Sequence, residues 1–197
     1  MGANVGACPG AESQQGEQPE PGVTRNQCDP NEALPDSLRL GLNIVFVGTA
    51  AGRRSAAVGA YYAHRGNKLW RTLDEVGLTP RRFEPAEFRH LLDLGMGFTD
   101  IAKRAAGMDH EIAKSAYDRN AFAARIERSL PRIVAFTSKK AASIWLGRST
   151  RQLCYGLQSA NVIGAARLFV LPSPSGAASR HWSIEPWREL AAYIRLQ

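Results

Sequence analysis

Residues 42–52 read LNIVFVGTAAG, an apolar run that ends in small, turn-forming residues, and residues 166–176 read ARLFVLPSPSG, which has the same form. Each run predicts a buried strand that stops at its small residues, at 48–52 in the first case and at 172–176 in the second. In an open parallel sheet the carboxyl ends of the strands border the crevice where ligands bind. The two segments therefore predict one α/β domain with a single site built from two strand ends.

Strand-like and helix-like segments alternate along the rest of the chain. This alternation predicts a three-layer α/β/α sandwich around a short parallel sheet. The expected strands cover 43–47, 96–99, 133–136 and 166–171, and the expected helices cover 67–76, 84–94, 117–129, 139–146 and 187–196, with a loop at 48–66. Residues 1–36 are rich in Gly, Pro, Gln and Glu, which predicts a disordered N-terminal tail before a domain at 37–197.

The composition limits the classes of partner. The 197-residue chain carries a formal net charge of +7, with paired arginines and paired lysines, which favours a polyanionic partner. Cys8, Cys28 and Cys154 are far apart and have no CxxC spacing, so we expect a reduced protein without a metal. The start MGANVGACPG lacks a positive region and a long apolar run. We therefore expect a cytoplasmic monomer of bacterial type, associated with the nucleoid and not with a membrane.

Two longer segments carry a resemblance to known proteins: residues 48–70, GTAAGRRSAAVGAYYAHRGNKLW, and residues 171–179, LPSPSGAAS. They resemble the first and second active-site motifs of the uracil-DNA glycosylase superfamily, most closely those of the mismatch-specific uracil/thymine glycosylases. The segments GLTP at 77–80, LLDLGMGFTD at 91–100 and VAFTSKKA at 134–141 lie where that family has counterparts. The resemblance extends over about residues 41–195.

The resemblance implies a monofunctional DNA glycosylase of base excision repair. Such an enzyme flips uracil out of single- or double-stranded DNA and hydrolyses its N-glycosidic bond, which leaves an abasic site. Because neither motif has a lysine suited to form a Schiff base with the sugar, we expect no lyase step, and we expect no cofactor. Two alternatives stay open: a glycosylase for hypoxanthine or for thymine opposite guanine, and an inactive homologue that binds damaged or single-stranded DNA.

The first motif supplies the residues expected at the base. By position, Tyr62 matches the aromatic residue that stacks on the flipped base. Gly48, Thr49 and Ala50 belong to the turn whose backbone N–H groups would approach the base or the sugar, and Asn67 completes the expected base-binding set. A core tyrosine and an ordinary strand-to-loop turn are the alternatives.

The second motif resembles the loop that pushes into the duplex as the base leaves. Two alanines stand where relatives often carry a bulkier apolar wedge, which favours single-stranded or weakly paired substrates. Serine hydroxyls and basic side chains suit phosphate groups, although solvated loop charges are the alternative. The expected DNA-binding residues are Arg53, Arg54, Lys139, Ser175, Gly176, Ala177, Ala178 and Arg180.

The chain departs from the family pattern at two positions. Ala50 replaces the Asn that positions the attacking water in mismatch-specific relatives, and Ser173 stands where relatives show Asn or His. A methyl group can neither orient water nor accept a proton, so we expect the catalytic role to be vacant or to have moved. The expected catalytic residues are Asp100, Ser173 and His64.

Asp100 is the first candidate for the displaced role. It follows the expected strand 96–99, where several branches of the superfamily place an Asn that reads the base. A carboxylate there could accept the uracil N3–H or stabilise the sugar cation of the transition state. The alternative is a helix N-cap before the segment IAKRAA. His64 has two interpretations as well: it fixes the Tyr62 loop by hydrogen bonding, or it acts on the substrate.

Overall fold

The computed structural model describes residues 1, 2, 29 and 31–196, apart from the side chains of 160–162. Its strands are β1 (Ile44–Ala51), β2 (Met96–Ala106), β3 (Ile133–Phe136), β4 (Gly156–Ile163) and β5 (Ala166–Val170). Its α-helices are α1 (Arg53–Val58), α2 (Leu69–Glu75), α3 (Arg119–Ser129), α4 (Lys139–Leu146) and α5 (Glu185–Arg195). Short 3-10 helices cover Pro85–Leu91, Lys114–Ala116, Thr150–Gln152 and Gly176–His181. Most of the predicted tail, residues 3–28 with Cys8 and Cys28, lies outside the described residues.

In the described part of the chain the strands form one sheet, in the order β2-β1-β3-β5-β4. The first four run parallel, and β4 pairs antiparallel with β5 at the edge. The predicted α/β fold with its central sheet is confirmed, and β4 is an addition that the sequence did not reveal. Its sequence GLQSANVI has no alternating apolar pattern, because an edge strand leaves part of its surface outside the core.

Two apolar layers cover the sheet. On one face the Phe46 ring packs against Phe98 and Trp187, with centroid separations of 5.8 and 5.9 Å. On the other face Phe122 of α3 packs against Phe136 of β3, with centroids 6.2 Å apart. Neighbouring residues of a strand point to opposite faces, so the apolar run at 44–47 contributes side chains to both layers. The core therefore fixes β1 between two apolar layers, and this fixes the position of its carboxyl end.

The two strands that lead to the site are longer than predicted. β1 continues through Gly48 to Ala51, so the predicted turn at 48–52 is wrong, and the predicted loop at 48–66 contains helix α1. β2 continues to Ala106, well past the predicted end at residue 99. The pairing of the strands explains both extensions, because Gly48 lies opposite Asp100 and each strand satisfies the backbone of the other.

The helices lie close to their predicted positions. Helix α4, Lys139–Leu146, begins and ends as predicted, and α2, α3 and α5 differ by a few residues at their ends. The helix predicted at 84–94 is instead the 3-10 helix Pro85–Leu91, which a capping box between Glu84 and Glu87 begins. Among the described residues, no helix has both the length and the apolar character needed to span a membrane.

The packed domain begins before the predicted boundary at residue 37. Leu34 is only 2% exposed, and Ser37 forms an antiparallel bridge with Phe98 on the outer edge of β2. Asp36 forms ion pairs with Lys103 at 2.8 Å and with Arg125 at 3.2 Å. The segment before β1 therefore covers the free edge of β2, which would otherwise expose unpaired backbone groups.

Candidate active site

Three neighbouring strands bring Gly48, Asp100 and Thr137 together toward the carboxyl end of the sheet. Gly48 of β1 and Asp100 of β2 are paired in register. Thr137 directly follows β3, and its backbone N–H donates to the carbonyl of Val47 at 2.9 Å. The carboxyl ends of parallel strands are where α/β proteins bind their ligands, so these three residues define the candidate site.

The Asp100 carboxyl group lies over Gly48. Asp100 is 4% exposed, and a Cβ atom added at position 48 would collide with its Oδ1 atom. The hydroxyl oxygen of Tyr62 would lie 3.7 Å from that same Cβ atom. Gly48 is therefore required here for space, because any side chain would occupy the volume of the carboxylate.

The protonation of Asp100 is shifted toward neutral pH. Burial raises its pKa to about 6; the Asp36 carboxylate acts in the same direction, and Lys103 and Arg125 oppose it. Arg125 Nη2 donates to the backbone carbonyl of Asp100 at 2.9 Å, but among the described residues no donor hydrogen-bonds to the carboxylate itself. A buried carboxylate with a pKa near neutrality and no fixed donor has the properties of a general base.

The structure places Asp100 inside a strand and not at a helix start. β2 runs from Met96 to Ala106, so the segment IAKRAA is extended. The N-cap interpretation is therefore wrong, and so is the expectation that Asp100 ends its strand. The extended backbone turns its side chain to the same face as Phe98, toward Gly48 and the Tyr62 ring. The catalytic role of Asp100 stays a prediction that this location supports.

Tyr62 borders the same space from the loop after α1. Its φ of 54° lies in the left-handed region, which residues other than glycine seldom adopt. Its ring centroid lies 5.5 Å from that of Phe98, and its hydroxyl oxygen lies 3.0 Å from Thr137 Oγ1. Burial raises the pKa of the Tyr62 phenol, so the group stays protonated at neutral pH. Backbone strain of this kind concentrates at functional sites, which agrees with a role for Tyr62 at the base.

Thr137 belongs to this site, and sequence reasoning missed it. Its hydroxyl donates to the carbonyl of Val47 at 3.1 Å, so its oxygen is left to accept the hydrogen bond from Tyr62. The Thr137 hydroxyl thus ties the Tyr62 ring to the ends of β1 and β3. A signal was present in the sequence, because a polar residue directly after the buried strand Ile133–Phe136 must lie at the carboxyl end of the sheet.

The first-motif residues of β1 divide between the two faces of the sheet. Ala50 lies two residues beyond Gly48, so it faces the same side, and it pairs in register with Ala102. The Thr49 hydroxyl instead donates to Asp109 Oδ1 at 2.6 Å, in the loop after β2. Gly48 and Ala50 therefore line the side of the sheet that holds Asp100, and the Thr49 side chain is engaged elsewhere.

His64 and Asn67 stabilise the turn that follows Tyr62. His64 Nδ1 accepts the N–H of Gly66 at 3.1 Å, and Asn67 Oδ1 accepts the N–H of Leu69 at 2.9 Å. The first bond closes the turn, and the second satisfies a free N–H group at the start of α2. These contacts support the structural interpretation of His64, which is exposed, and roles on the substrate stay predictions for both residues.

The loop of the second motif packs against the loop of the first. The Lys68 N–H donates to the carbonyl of Pro174 at 2.8 Å, and Lys68 Nζ donates to Ser179 Oγ at 2.9 Å. A Cβ atom at Gly176 would lie 3.1 Å from the carbonyl oxygen of Gly66, so the two backbones are nearly in contact. The loops after β1 and β5 therefore lie side by side, and the lack of a side chain at Gly176 permits the contact.

The remaining residues of the second motif lie in and before the 3-10 helix Gly176–His181. Ser173 is half-buried, and its hydroxyl accepts the N–H of Ser175 at 3.3 Å, which stiffens the loop. Ala177 and Arg180 are exposed, and Ala178 is half-buried. The predicted DNA-binding residues of this motif thus lie on a short surface helix, and the described hydrogen bond of Ser173 is made to its own loop.

Arg53, Arg54 and Lys139, the predicted DNA-binding cations outside the second motif, have different surroundings. Arg53 forms an ion pair with Glu111 at 2.7 Å, so the partner that its own loop lacks comes from the loop after β2. Lys139 Nζ lies 4.5 Å from the ring centroid of Tyr155. Arg54 is exposed and has no ion-pair partner in the described part of the chain. Of the three, Arg54 is the cation most available to a phosphate group.

The described part of the chain holds no candidate metal centre. Within residues 31–196 and the other described positions, no three His, Cys, Asp or Glu side chains come together as a metal-binding cluster. Cys154 is exposed and its thiol is free. The expected absence of a metal and a cofactor stays a prediction.

Comparison with known proteins identifies the family. Residues 35–197 match the model of the uracil DNA glycosylase superfamily, and the chain belongs to that superfamily. A solution NMR structure of a protein from Methanosarcina acetivorans, itself provisionally assigned as a uracil DNA glycosylase, superposes with a TM-score of 0.58 at 21% sequence identity. The match covers 82% of this chain and 96% of that chain. At this identity the likeness shows the shared fold alone.

Membership in the superfamily supports a DNA glycosylase, a hydrolase that acts on DNA in its repair. The fold, with its central five-stranded sheet, agrees with that assignment. The closer resemblance to the mismatch-specific branch stays a prediction, and so does the particular base that is removed.

Proposed function

We propose that this protein is a monofunctional glycosylase that excises uracil from DNA, with Asp100 as the group that activates water. One observation carries the proposal: the buried Asp100 carboxylate lies over Gly48. Gly48 is two residues before Ala50, the position at which mismatch-specific relatives have the Asn that positions water. A carboxylate arriving from β2 thus reaches the neighbourhood of the side chain that β1 lacks. In this proposal β2, through Asp100, provides the water-activating group that β1 lacks.

The proposed reaction follows from the charge state of Asp100. Its pKa of about 6 leaves the carboxylate ionised at pH 7 to 8, where it can accept a proton. The water oxygen bonds to C1′ of the deoxyribose as the bond from C1′ to uracil N1 breaks, and the base leaves with the bonding electron pair. Asp100 takes the proton of the water, and the departing base takes a proton from solvent. The same negative charge stabilises the positive charge that develops on the sugar in the oxocarbenium-like transition state.

Tyr62 and the two motif loops would bind the extruded nucleotide. A flipped base gives up stacking in the duplex, and an aromatic face in the pocket replaces part of it. The hydrogen bond from Tyr62 to Thr137 holds that ring beside Gly48 and Asp100. Ala177 is a small residue on the exposed helix of the second motif, so it would fill a vacated stack poorly. We therefore propose single-stranded or weakly paired uracil as the preferred substrate.

The test is an oligonucleotide assay with four substrates. The purified protein is incubated with end-labelled single-stranded DNA that carries one uracil, and then with alkali, which breaks the strand at an abasic site. Matched substrates carry hypoxanthine, thymine opposite guanine, or no altered base. We expect a break at uracil that requires alkali, and no break in the unmodified strand.

Each other outcome rejects a defined part of the proposal. A break that appears only at hypoxanthine or thymine moves the activity to another base. Retarded migration of the DNA without any break makes the protein a binder of damaged or single-stranded DNA. A break without alkali shows lyase chemistry and contradicts the monofunctional mechanism.

A further inference from the structure

A cluster of buried charges lies directly beside the candidate base, on the outer edge of β2. Asp36 is at its centre: Oδ1 accepts a hydrogen bond from Thr99 Oγ1 at 2.6 Å and lies 2.8 Å from Lys103 Nζ. Oδ2 lies 3.2 Å from Arg125 Nε. The side chains of Asp36, Lys103 and Arg125 are 13%, 6% and 12% exposed, so the charges are largely removed from water. Removing charged groups from water costs free energy, so a cluster of this kind suggests a role beyond stability.

The contacts of this cluster surround one residue. Thr99 is the residue before Asp100, and its hydroxyl is held by Asp36. Arg125, which Asp36 also holds, donates from Nη2 to the backbone carbonyl of Asp100 at 2.9 Å. Lys103 lies three residues farther along the same strand and donates to the carbonyl of Leu34. The Asp36 carboxylate thus joins three elements that meet at the backbone of Asp100.

We propose that Asp36 is a positioning residue for the glycosylase reaction: it fixes the backbone on both sides of Asp100 and holds Lys103 and Arg125 at a set distance from the Asp100 carboxylate. This inference rests on the proposed function of Asp100 as the base. Asp36 touches neither the DNA nor the reacting atoms in this account. It acts only through Asp100.

The charges around Asp100 give this proposal a definite sign. Lys103 and Arg125 favour the ionised form of Asp100, and Asp36 disfavours it. The other titratable groups packed nearby are Glu32 of the preceding segment, which lies 3.9 Å from Lys103, and the protonated phenols of Tyr61 and Tyr62. Replacing the Asp36 carboxylate by the amide of Asn removes its charge and keeps an oxygen that can accept hydrogen bonds from Thr99 and Lys103. This change should therefore lower the pKa of Asp100, and removing Lys103 should raise it.

The experiment compares two variants that break the same ion pair from opposite sides. The rate of uracil excision from single-stranded DNA is measured against pH at single turnover for Asp36→Asn and Lys103→Met. We expect the midpoint of the acid limb to move down in Asp36→Asn and up in Lys103→Met, each by roughly 0.5–1 pH unit. A carbon-13 NMR titration of the Asp100 carboxyl should show the same two shifts.

A matched control separates positioning from general loss of structure. Asp118 caps helix α3, which carries Arg125, by accepting the N–H of Ala121 at 2.9 Å. Asp118→Ala should lower the melting temperature and leave the midpoint of the acid limb unchanged. Should Asp36→Asn not fold, Lys103→Met alone decides, because an upward shift supports the proposal and an unchanged midpoint overturns it.

The outcomes distinguish this inference from the proposed function. Midpoints that stay fixed, or that both move in the same direction, overturn the role of Asp36 even when Asp100→Asn is inactive. If Asp100→Asn excises uracil at the wild-type rate, Asp100 is not the base and the proposed mechanism fails first. Opposite shifts in both the rate profile and the carboxyl titration support both.

Discussion

Asp36 and Asp100 are two carboxylates on one edge of the sheet, the first largely buried and the second buried, and their surroundings are opposite. Asp36 contacts one hydroxyl and two cations, Thr99, Lys103 and Arg125. Among the described residues, no donor is hydrogen-bonded to the carboxylate of Asp100, whose pKa burial raises to about 6. The Asp36 side chain is 13% exposed and Asp100 is 4% exposed, so both are largely shielded from water. The main difference is that the Asp36 carboxylate has hydrogen-bond and ion-pair partners, whereas no described donor is hydrogen-bonded to the Asp100 carboxylate.

The difference shows how the fold divides stability from chemistry. A buried charge with partners stabilises the arrangement around it, whereas a buried charge without partners costs free energy and is available to a substrate. Proteins tend to break local rules at functional sites and to compensate for this elsewhere. The Asp36 cluster is the compensation here, because it fixes the strand on which Asp100 stands.

The largest contrast should come from removing each charge in turn. Asp100→Asn should lower the excision rate by roughly 10²–10⁴-fold, the usual contribution of general acid–base catalysis. The same variant should be more stable at pH 7 to 8, by roughly 1–3 kcal/mol, because the folded pKa of Asp100 lies above the ordinary value of an aspartate and its ionisation opposes folding there. This gain should fade as the pH falls from about 6 to about 4. Asp36→Asn should lose stability at neutral pH, by about 3–5 kcal/mol.

Urea unfolding at several pH values and single-turnover kinetics measure both effects. An Asp100→Asn protein that is less stable than the wild type at pH 8 would give Asp100 a structural role like that of Asp36. The two carboxylates would then both have structural roles.

The second prediction concerns the close approach of Gly48 to the Asp100 carboxylate. A methyl group at Gly48 would collide with the Asp100 carboxylate, so Gly48→Ala should lower the rate by roughly 10–10²-fold, since small displacements at a reacting centre are expensive. Gly52→Ala is the matched control in the same motif, because the added Cβ atom would lie 4.0 Å from Ser55 Oγ, an ordinary contact distance. Equal rates for the two variants would show that the closeness of Gly48 to Asp100 has no role in the reaction.

The third prediction concerns the ring beside the unpartnered carboxylate. Tyr62→Ala should lose roughly 1–3 kcal/mol of base stacking and most of the activity. Tyr62→Phe should keep most of the activity, because it retains the ring and loses only the hydrogen bond to Thr137. Substrate binding and turnover of the two variants provide the measurement. Full activity of the alanine variant would remove Tyr62 from the site.

The smallest expected effect concerns two surface arginines, of which one has an ion-pair partner and the other has none among the described residues. Arg53 is paired with Glu111, and Arg54 has no ion-pair partner within the described chain. Arg54→Ala should reduce the slope of log affinity against log salt by about 1, and Arg53→Ala should reduce it less. Titrations of labelled single-stranded DNA at several salt concentrations measure both slopes. A larger change in Arg53→Ala would show that Arg53 leaves Glu111 for the DNA.

The sequence predicted the part of the site that local pattern determines. The two apolar runs identified the two strands that lead to the site, although β1 continues to Ala51, past its predicted end. The spaced motif residues pointed to Tyr62 and Asp100. Helix α4 was predicted with its exact bounds, and the structure shows Ser138 and Gly147 as its two caps. These features depend on residues that are near each other in the chain.

What the sequence could not supply depends on long-range pairing. The length of β2 follows from its register with β1, and no local signal in IAKRAA distinguishes a strand from a capped helix. The ion pair between Arg53 and Glu111 joins two loops. The contacts of Asp36 with Lys103 and Arg125 join three elements, and the boundary predicted at residue 37 had assigned Asp36 to the tail.

The role of Asp100 as the base is tested most directly by the pH dependence of uracil excision from single-stranded DNA at single turnover, in the wild type and in Asp100→Asn. This substrate removes the cost of opening a duplex and leaves the chemical step exposed. The wild-type rate should rise with pH through a midpoint near the Asp100 pKa of about 6 and then level off. The variant should show a low rate without that midpoint. An Asp100→Asn protein with the wild-type rate and the same midpoint would contradict the assignment of Asp100 as the base.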